Sequence, residues 1–235
     1  MYENVMIPVI YALLQINQGR HIFIHIVKNF CTREGIYFNP PIGQTDFEAA
    51  AISALRFVFP NIVIKGCFFH YSQALWRKCQ ALGFVRYYLN DSYVHLVVRR
   101  MTTLPFCKEE HMAEVSLSCY SIATNNPSLL RFMEYMDHTW HGETALFPHT
   151  IWTRYHVDGP RTNNHLEWFH HALKRKTSSA HPNVYVLIKI LIENQNSNDI
   201  KLIQIHNGSI VRRANRTFER LNHKIDNLTS IYTCI

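Results

Sequence analysis

No apolar run in this chain is long enough to span a bilayer. The longest, Val5 to Ile16, is interrupted by Pro8 and Gln15, whereas a membrane helix needs about 20 apolar residues. No secretory leader is read at the N-terminus. Dense cysteine spacing is also lacking: the six cysteines, at 31, 67, 79, 107, 119 and 234, are scattered, which excludes a disulfide scaffold. Internal repeats and low-complexity linkers are missing too. These absences predict a protein of a reducing interior, nuclear or cytoplasmic and not secreted. The N-x-S/T sequons at Asn90, Asn207, Asn215 and Asn227 then have no glycan to receive. Acids are few, 17 against 24 lysines and arginines, for a net charge of +7 and a pI near 9.1. That balance favours a polyanionic partner.

What is present is enough for a core. Hydrophobic residues make up 47 % of the 235, so wholesale disorder is excluded. The length fits one large domain or one domain with an insertion. Val5 to Leu14 reads as a strand, and Arg20 to Cys31 as a helix with Ile22, Ile26 and Phe30 on one face. A short strand follows Pro40 and Pro41 and ends near Asp46. Phe47, Ala50, Ala51, Leu55 and Val58 mark a helix stopped by Pro60. Ile62 to Lys65 is a third strand, broken by Gly66, and a helix runs on from about Phe68. This alternation predicts an α/β layered domain.

After Gly83 the strand signal disappears. Ser92 to Met101, Lys108 to Thr124 and Pro127 to Trp140 favour helix, with Pro105 and Pro127 as breaks. Another helix begins after Asn164. In the tail, Val211, Ala214, Phe218, Leu221, Ile225 and Leu228 step by three and four, which predicts a final helix.

Two acidic segments carry the chemistry. TDFE, Thr45 to Glu48, places Asp46 after a strand and before a helix, and RTNNHLEWFH, Arg161 to His170, places Glu167 in a first helical turn. A carboxylate at a strand's C-terminal end points into the crevice where α/β sheets bind ligands. If the Glu167 face meets it, two carboxylates converge on the oxygen-rich environment that Mg²⁺ prefers, and two such ions support phosphodiester chemistry. The same residues also read as capping boxes, Thr45-x-x-Glu48 and Asn164-x-x-Glu167.

From Val5 to about Leu228 the chain resembles the transposase domain of Mutator-like elements. The phrases that carry the resemblance are VIYALL, TDFEAAAISALRFVFPN, KGCFFHYSQALWRK, EYMDHTWHG, FPHTIWTRY and RTNNHLEWFHHALKRK, in that order. The resemblance implies an RNase H-like α/β fold with an acidic triad and an all-α insertion before the last catalytic helix. It implies a partial RNase H-like core over 1–83, the insertion over 84–150, and the C-terminal part of the core over 151–235. Asp46 matches the second acid and Glu167 the third, with Mg²⁺ or Mn²⁺ as cofactor. The first acid, in a D-G-T-like phrase on the first strand, has no counterpart, so the fold is expected to lack its first strands. The implied activity is DNA cleavage and strand transfer between transposon ends and target DNA by a homo-oligomer, with negligible activity in this chain because one triad acid is absent. A non-catalytic DNA- or protein-binding remnant is the alternative.

Cys67 and His70 match the C-x-x-H that follows the family's second acid. With His138 and His141 they would make a four-ligand zinc site; alternatively Cys67 is a small buried residue and His70 a satisfied polar group. His165, His170 and His171 read as surface histidines. For nucleic acid, Arg161, Asn163 and Asn164 precede the Glu167 helix and Lys174 to Lys176 end it. Arg212, Arg216, Arg220 and Lys224 recur every four residues in the tail, either as a phosphate-contacting stripe or as a solvated helix face.

Overall fold

The computed structural model describes residues 20–155, 164–177 and 182–208, together with Arg220, Lys224 and Asn227; the side chains of 20–22, 164–168 and 170 are outside that description. The chain divides into two compact units, one within Gln15–Thr162 and the other including the residues from Asn163 onward.

In the first unit the order is α1 (Arg20–Arg33), β1 (Ile42–Thr45), α2 (Ala49–Val58), β2 (Val63–Gly66), α3 (Phe68–Ala81), α4 (Val85–Asn90), α5 (Ser92–Thr103), α6 (Glu109–Ala123), α7 (Pro127–Met136) and α8 (His149–Trp152). A 3₁₀ turn, Leu104–Phe106, follows α5, and a π-helical turn, Asp137–His141, extends α7. β1 and β2 run parallel in the register Ile42↔Val63, Gly43↔Ile64, Gln44↔Lys65 and Thr45↔Gly66. With α2 as the crossover they form one βαβ unit. α1 packs on α2, where Lys28 Nζ donates to the Val58 carbonyl at 2.8 Å and lies over the Phe59 ring.

The helices form because their apolar residues recur at helical spacing. α3 buries Tyr71, Leu75 and Cys79. α5 buries Val94, Val97, Val98 and Met101, and α7 buries Leu129, Phe132, Met133 and Met136. Side chains fix two starts. The Asp91 carboxylate accepts from the Tyr93 and Val94 N–H groups ahead of α5, and Asn126 accepts from Ser128 and Leu129 ahead of α7, with Pro127 in the first turn. One hydrophobic core runs from Ile52 through these helices to Trp152. Tyr71 is fully buried within it and donates its hydroxyl to the Met101 carbonyl at 2.7 Å; burial pushes its pKa well up.

The expected RNase H-like α/β fold is overturned: the class is mostly helical, with two parallel strands among the described residues. The physical reason lies in who carries the core. Each strand is four residues long, and most of the buried apolar side chains sit on helices packed against helices. The helices expected as an insertion on a sheet are the body of the unit. The expected strand Val5 to Leu14 lies outside the described residues.

The second unit contains α9 (Asn164–Lys176) and α10 (Val184–His206). Lys176 Nζ donates to Asn194 Oδ1 at 2.7 Å, and Ile190 and Asn198 are the buried residues of α10. Arg220, Lys224 and Asn227 are exposed helical positions, in keeping with the helical period of the tail. Among the described residues no helix is long and apolar enough to cross a membrane.

Candidate functional site at the strand ends

β1 and β2 finish side by side, and the ladder continues one step beyond them: the Cys67 N–H donates to the Thr45 carbonyl at 2.8 Å. Thr45 is buried, whereas Asp46, the next residue, is exposed. Thr45 Oγ1 lies 3.5 Å from Asp46 Oδ1, a long contact.

The expected capping box is not formed. Thr45 stays in β1, and the N-cap of α2 is Glu48, which makes no side-chain capping bond. Asp46 therefore has no helix-capping duty and lies outside the first turn.

Phe47 explains why the chain turns so sharply here. Its φ is 67°, in the left-handed region that costs a residue with a side chain roughly 1–2 kcal/mol. The strain is held by packing. The Phe47 ring meets Trp140 edge-on at 4.9 Å and Phe147 at 5.2 Å. Below it is Gly66, where an added Cβ would come 2.1 Å from the ring's Cζ. Only glycine fits beneath the ring. The π-helical turn presents Trp140 inward, and its indole packs on Tyr71 at 4.9 Å as well as on Phe47. The Trp152 Nε1–H closes the corner by donating to the carbonyls of Trp140 at 2.8 Å and Phe147 at 3.1 Å.

Two cations back the strand ends. The buried Arg154 donates from its guanidinium to the Gly66 carbonyl, and its backbone N–H donates to the Pro105 carbonyl at 2.6 Å. Lys65 Nζ donates to the Thr150 carbonyl at 2.9 Å and the Thr153 carbonyl at 3.5 Å. Burial pushes the Lys65 ammonium below its ordinary pKa, and the neighbouring Arg154 charge adds to the shift. These contacts return the chain from the helical body to the end of β2. Arg154 was not among the residues singled out from the sequence. Its signal was faint: one cation inside the otherwise apolar and polar phrase IWTRY.

Cys67 is fully buried and precedes α3 as its N-cap residue, and His70 is half-buried in the first turn with its ring 5.5 Å from that of Phe69. His138 is exposed on the π-helical turn, and His141 is half-buried beside Asp137 and His149. Among the described residues no three His, Cys, Asp or Glu side chains gather as a metal-ligating group. The four residues considered for zinc are thus not assembled into one.

Glu167 falls in the first turn of α9, as expected, but its side chain lies outside the described residues. So does that of Asn164, and Arg161, Asn163, Arg212 and Arg216 are outside them entirely. Lys174, Arg175 and Lys176 are exposed in the last turn of α9, where cations also favour the helix dipole. Arg220 is exposed. Of the sequence-predicted residues, the first unit brings Asp46 and Cys67 to the same strand ends, with His70 one turn further into α3.

No family model matches this chain, and neither a curated protein nor a solved structure shows significant similarity to it.

Proposed function

We infer that this chain is the catalytic segment of a Mutator-like transposase, acting on DNA phosphodiesters with divalent metal, and that Asp46 and Glu167 are its metal-holding carboxylates. The ordered phrases TDFEAAAISALRFVFPN, KGCFFHYSQALWRK and RTNNHLEWFHHALKRK supply the family reading. The observation that carries it is Asp46: an exposed carboxylate, free of capping duty, at the C-terminal end of a parallel strand pair and fixed there by a strained, packed neighbour.

The donors fit a hard cation in part. A solvent-facing carboxylate oxygen suits Mg²⁺ or Mn²⁺, which keep several waters and take phosphate oxygens. Cys67 does not suit them, being a buried, soft sulfur donor. Held by the acids of the triad that the resemblance implies, such ions would activate an attacking oxygen and stabilise the leaving one. The chain's own residues do the rest. Phe47 and Gly66 hold the Asp46 backbone in its turn, and Arg154 secures the end of β2 beside it. Transposon ends and target DNA are the substrates of this reading, with the chain acting in a homo-oligomer.

Two of the three acids that the resemblance implies are present, so strand transfer by this chain alone is negligible. Mn²⁺ titration followed by electron paramagnetic resonance tests the reading. Binding is expected to weaken about tenfold or more in Asp46→Asn and in Glu167→Gln, the scale seen when a metal site loses a supporting group. Wild-type affinity in both variants rejects the metal site. Robust cleavage of terminal-repeat DNA by the unaltered chain, abolished in Asp46→Ala, would show that two acids suffice.

A binding-only remnant is the second reading, favoured by the exposed cations Arg220 and Lys224. It predicts salt-dependent DNA affinity that falls when Arg212, Arg216 and Arg220 become alanine and stays constant in Glu167→Ala.

A further inference from the structure

Between Phe68 and Lys108 the chain has six lysines and arginines and a single acid, Asp91. That carboxylate is already engaged, accepting from the Tyr93 N–H at 2.8 Å and the Val94 N–H at 3.2 Å. Three of the cations are also engaged. Lys78 lies 5.0 Å over the Tyr135 ring, Arg100 donates to Ser118 Oγ at 2.7 Å, and Lys108 is 3.5 Å from the Glu110 carboxylate. Arg77, Arg86 and Arg99 remain exposed.

Two of these arginines lie one helical turn outside the lining of a groove, whose one charged lining residue is the engaged Asp91. Where α4 meets α5 there is an open depression of about 630 Å³ lined by Tyr88, Leu89, Tyr93, His95 and Leu96 among others. Arg86 stands one turn before Leu89 on α4, and Arg99 one turn after His95 on α5. The lining is unusually bare of cover, with Leu89 84 % and Tyr93 64 % exposed. Two of the lining rings, Tyr88 and His95, continue to Trp76 as a row across three helices, at 5.3 Å and 4.9 Å.

We propose that the α4–α5 groove is a docking site for single-stranded DNA, with Arg86 and Arg99 on its phosphates and the Tyr93 ring stacked on a base. Excess cation at the rim calls for a polyanion, and an exposed aromatic lining calls for one with flat apolar faces. Unpaired nucleic acid has both, because every base offers a π-face once it leaves the stack. A duplex hides those faces and would use the rim alone. The choice of DNA over RNA rests on the DNA-processing role inferred above; the groove itself does not depend on it.

Fluorescence anisotropy of the full chain with a labelled oligothymidylate tests the proposal. The buffer contains EDTA, so the outcome is independent of whether Asp46 and Glu167 hold a metal. Affinity should fall steeply between about 50 mM and about 200 mM salt, and Arg86→Gln with Arg99→Gln should flatten that dependence by roughly 0.7 per phosphate lost. Tyr93→Leu, which keeps an apolar side chain and removes the ring, should weaken binding about fivefold or more while leaving the salt slope unchanged. Wild-type affinity and slope in both variants would overturn the groove. Equal affinity for a duplex would reduce it to phosphate contact and overturn the single-strand assignment. Tighter binding of the matching RNA, or displacement of the oligonucleotide by an acidic peptide at equal concentration, would reassign the occupant. A chain that binds here yet holds no Mn²⁺ would separate this site from the metal reading.

Discussion

At the end of the strand pair, large side chains are locked by packing; at the α4–α5 junction, they are left uncovered. Phe47, Trp140, Phe147 and Trp152 pack around Gly66, and that corner of the core also holds a sharp turn. The turn exposes Asp46. At the junction Leu89 and Tyr93 face solvent, and stability is supplied locally by the Asp91 cap. The difference is informative about cause. A strained residue persists only where its surroundings over-determine it, so the strand corner is expected to be intolerant of change. Exposed aromatics contribute little to folding, so the junction is expected to be tolerant in stability and sensitive in binding.

The strongest way to break this contrast is Gly66→Val. Its β-carbon would displace the Phe47 ring, and the branched side chain has no space to enter. Unfolding in urea should show a loss of about 3 kcal/mol, at the upper end for overpacking. Phe47→Ala should lose a comparable amount by leaving a cavity. The pair combined should lose clearly less than the two separately, because Phe47→Ala clears the space that the added valine side chain would occupy. Additive losses would mean that the ring does not seal the glycine. Phe47→Gly should be less damaging than Phe47→Ala by about 1 kcal/mol, since glycine takes φ of 67° without cost.

Arg154→Met comes next. The buried guanidinium donates to the Gly66 carbonyl, and its removal leaves that acceptor without its charged donor. A loss of about 2 kcal/mol is expected, the scale for an unmet buried polar group. A loss under about 0.5 kcal/mol, typical of a surface change, would show that the knot between β2 and the returning chain is weak.

How much of this was legible beforehand depends on the range of the signal. α2, α3, α5, α6 and α7 were readable because apolar residues at three- and four-residue spacing mark a helix face locally. β1 and β2 were bracketed by Pro40–Pro41 and Gly66. α10 carried no such mark: Val184 to Ile192 is a nearly unbroken apolar run without a polar face, and periodicity cannot classify it. α4 is too short to show a period. The class was misjudged because a strand pattern does not state how many partners a strand has, and the family resemblance supplied a larger sheet than two four-residue strands make. At the site, the position of Asp46 after a strand was readable. The capping box was a false match, since Thr45 belongs to β1. Gly66 was readable as a strand breaker, but its role under the Phe47 ring depends on a contact across the fold, and so does that of Arg154. No local rule places a phenylalanine at positive φ.

At the junction, Asp91→Ala sharpens the comparison from the other side. It removes the cap that satisfies two N–H groups of α5 and should cost about 1 kcal/mol. It also deletes the one acid of a basic stretch, so oligothymidylate binding should be retained or strengthened while stability falls. A parallel loss of both would tie the groove's shape to the cap and erase the distinction between the two regions.

The smallest effect expected is a pH dependence from the π-helical turn. Burial holds the His141 pKa below its ordinary value of 6.5; Asp137 opposes the shift and His149 reinforces it. Below about pH 6.5 the unfolded chain takes up this proton before the folded one does, so stability rises with pH through that window. It should decline as the pH falls from 6.5 and level off once the folded imidazole is protonated too. Urea unfolding of wild type and His141→Asn across that range isolates the contribution as a difference curve, positive in slope and flat above pH 6.5. The turn also carries Trp140, the ring against Phe47. Charging His141 is therefore expected to loosen the strand corner and not the junction, visible on acidification as a larger loss of amide protection, relative to the intrinsic exchange rate at each pH, at Phe47 than at Tyr93. An equal loss of protection at both positions would mean that the two regions share one mode of opening.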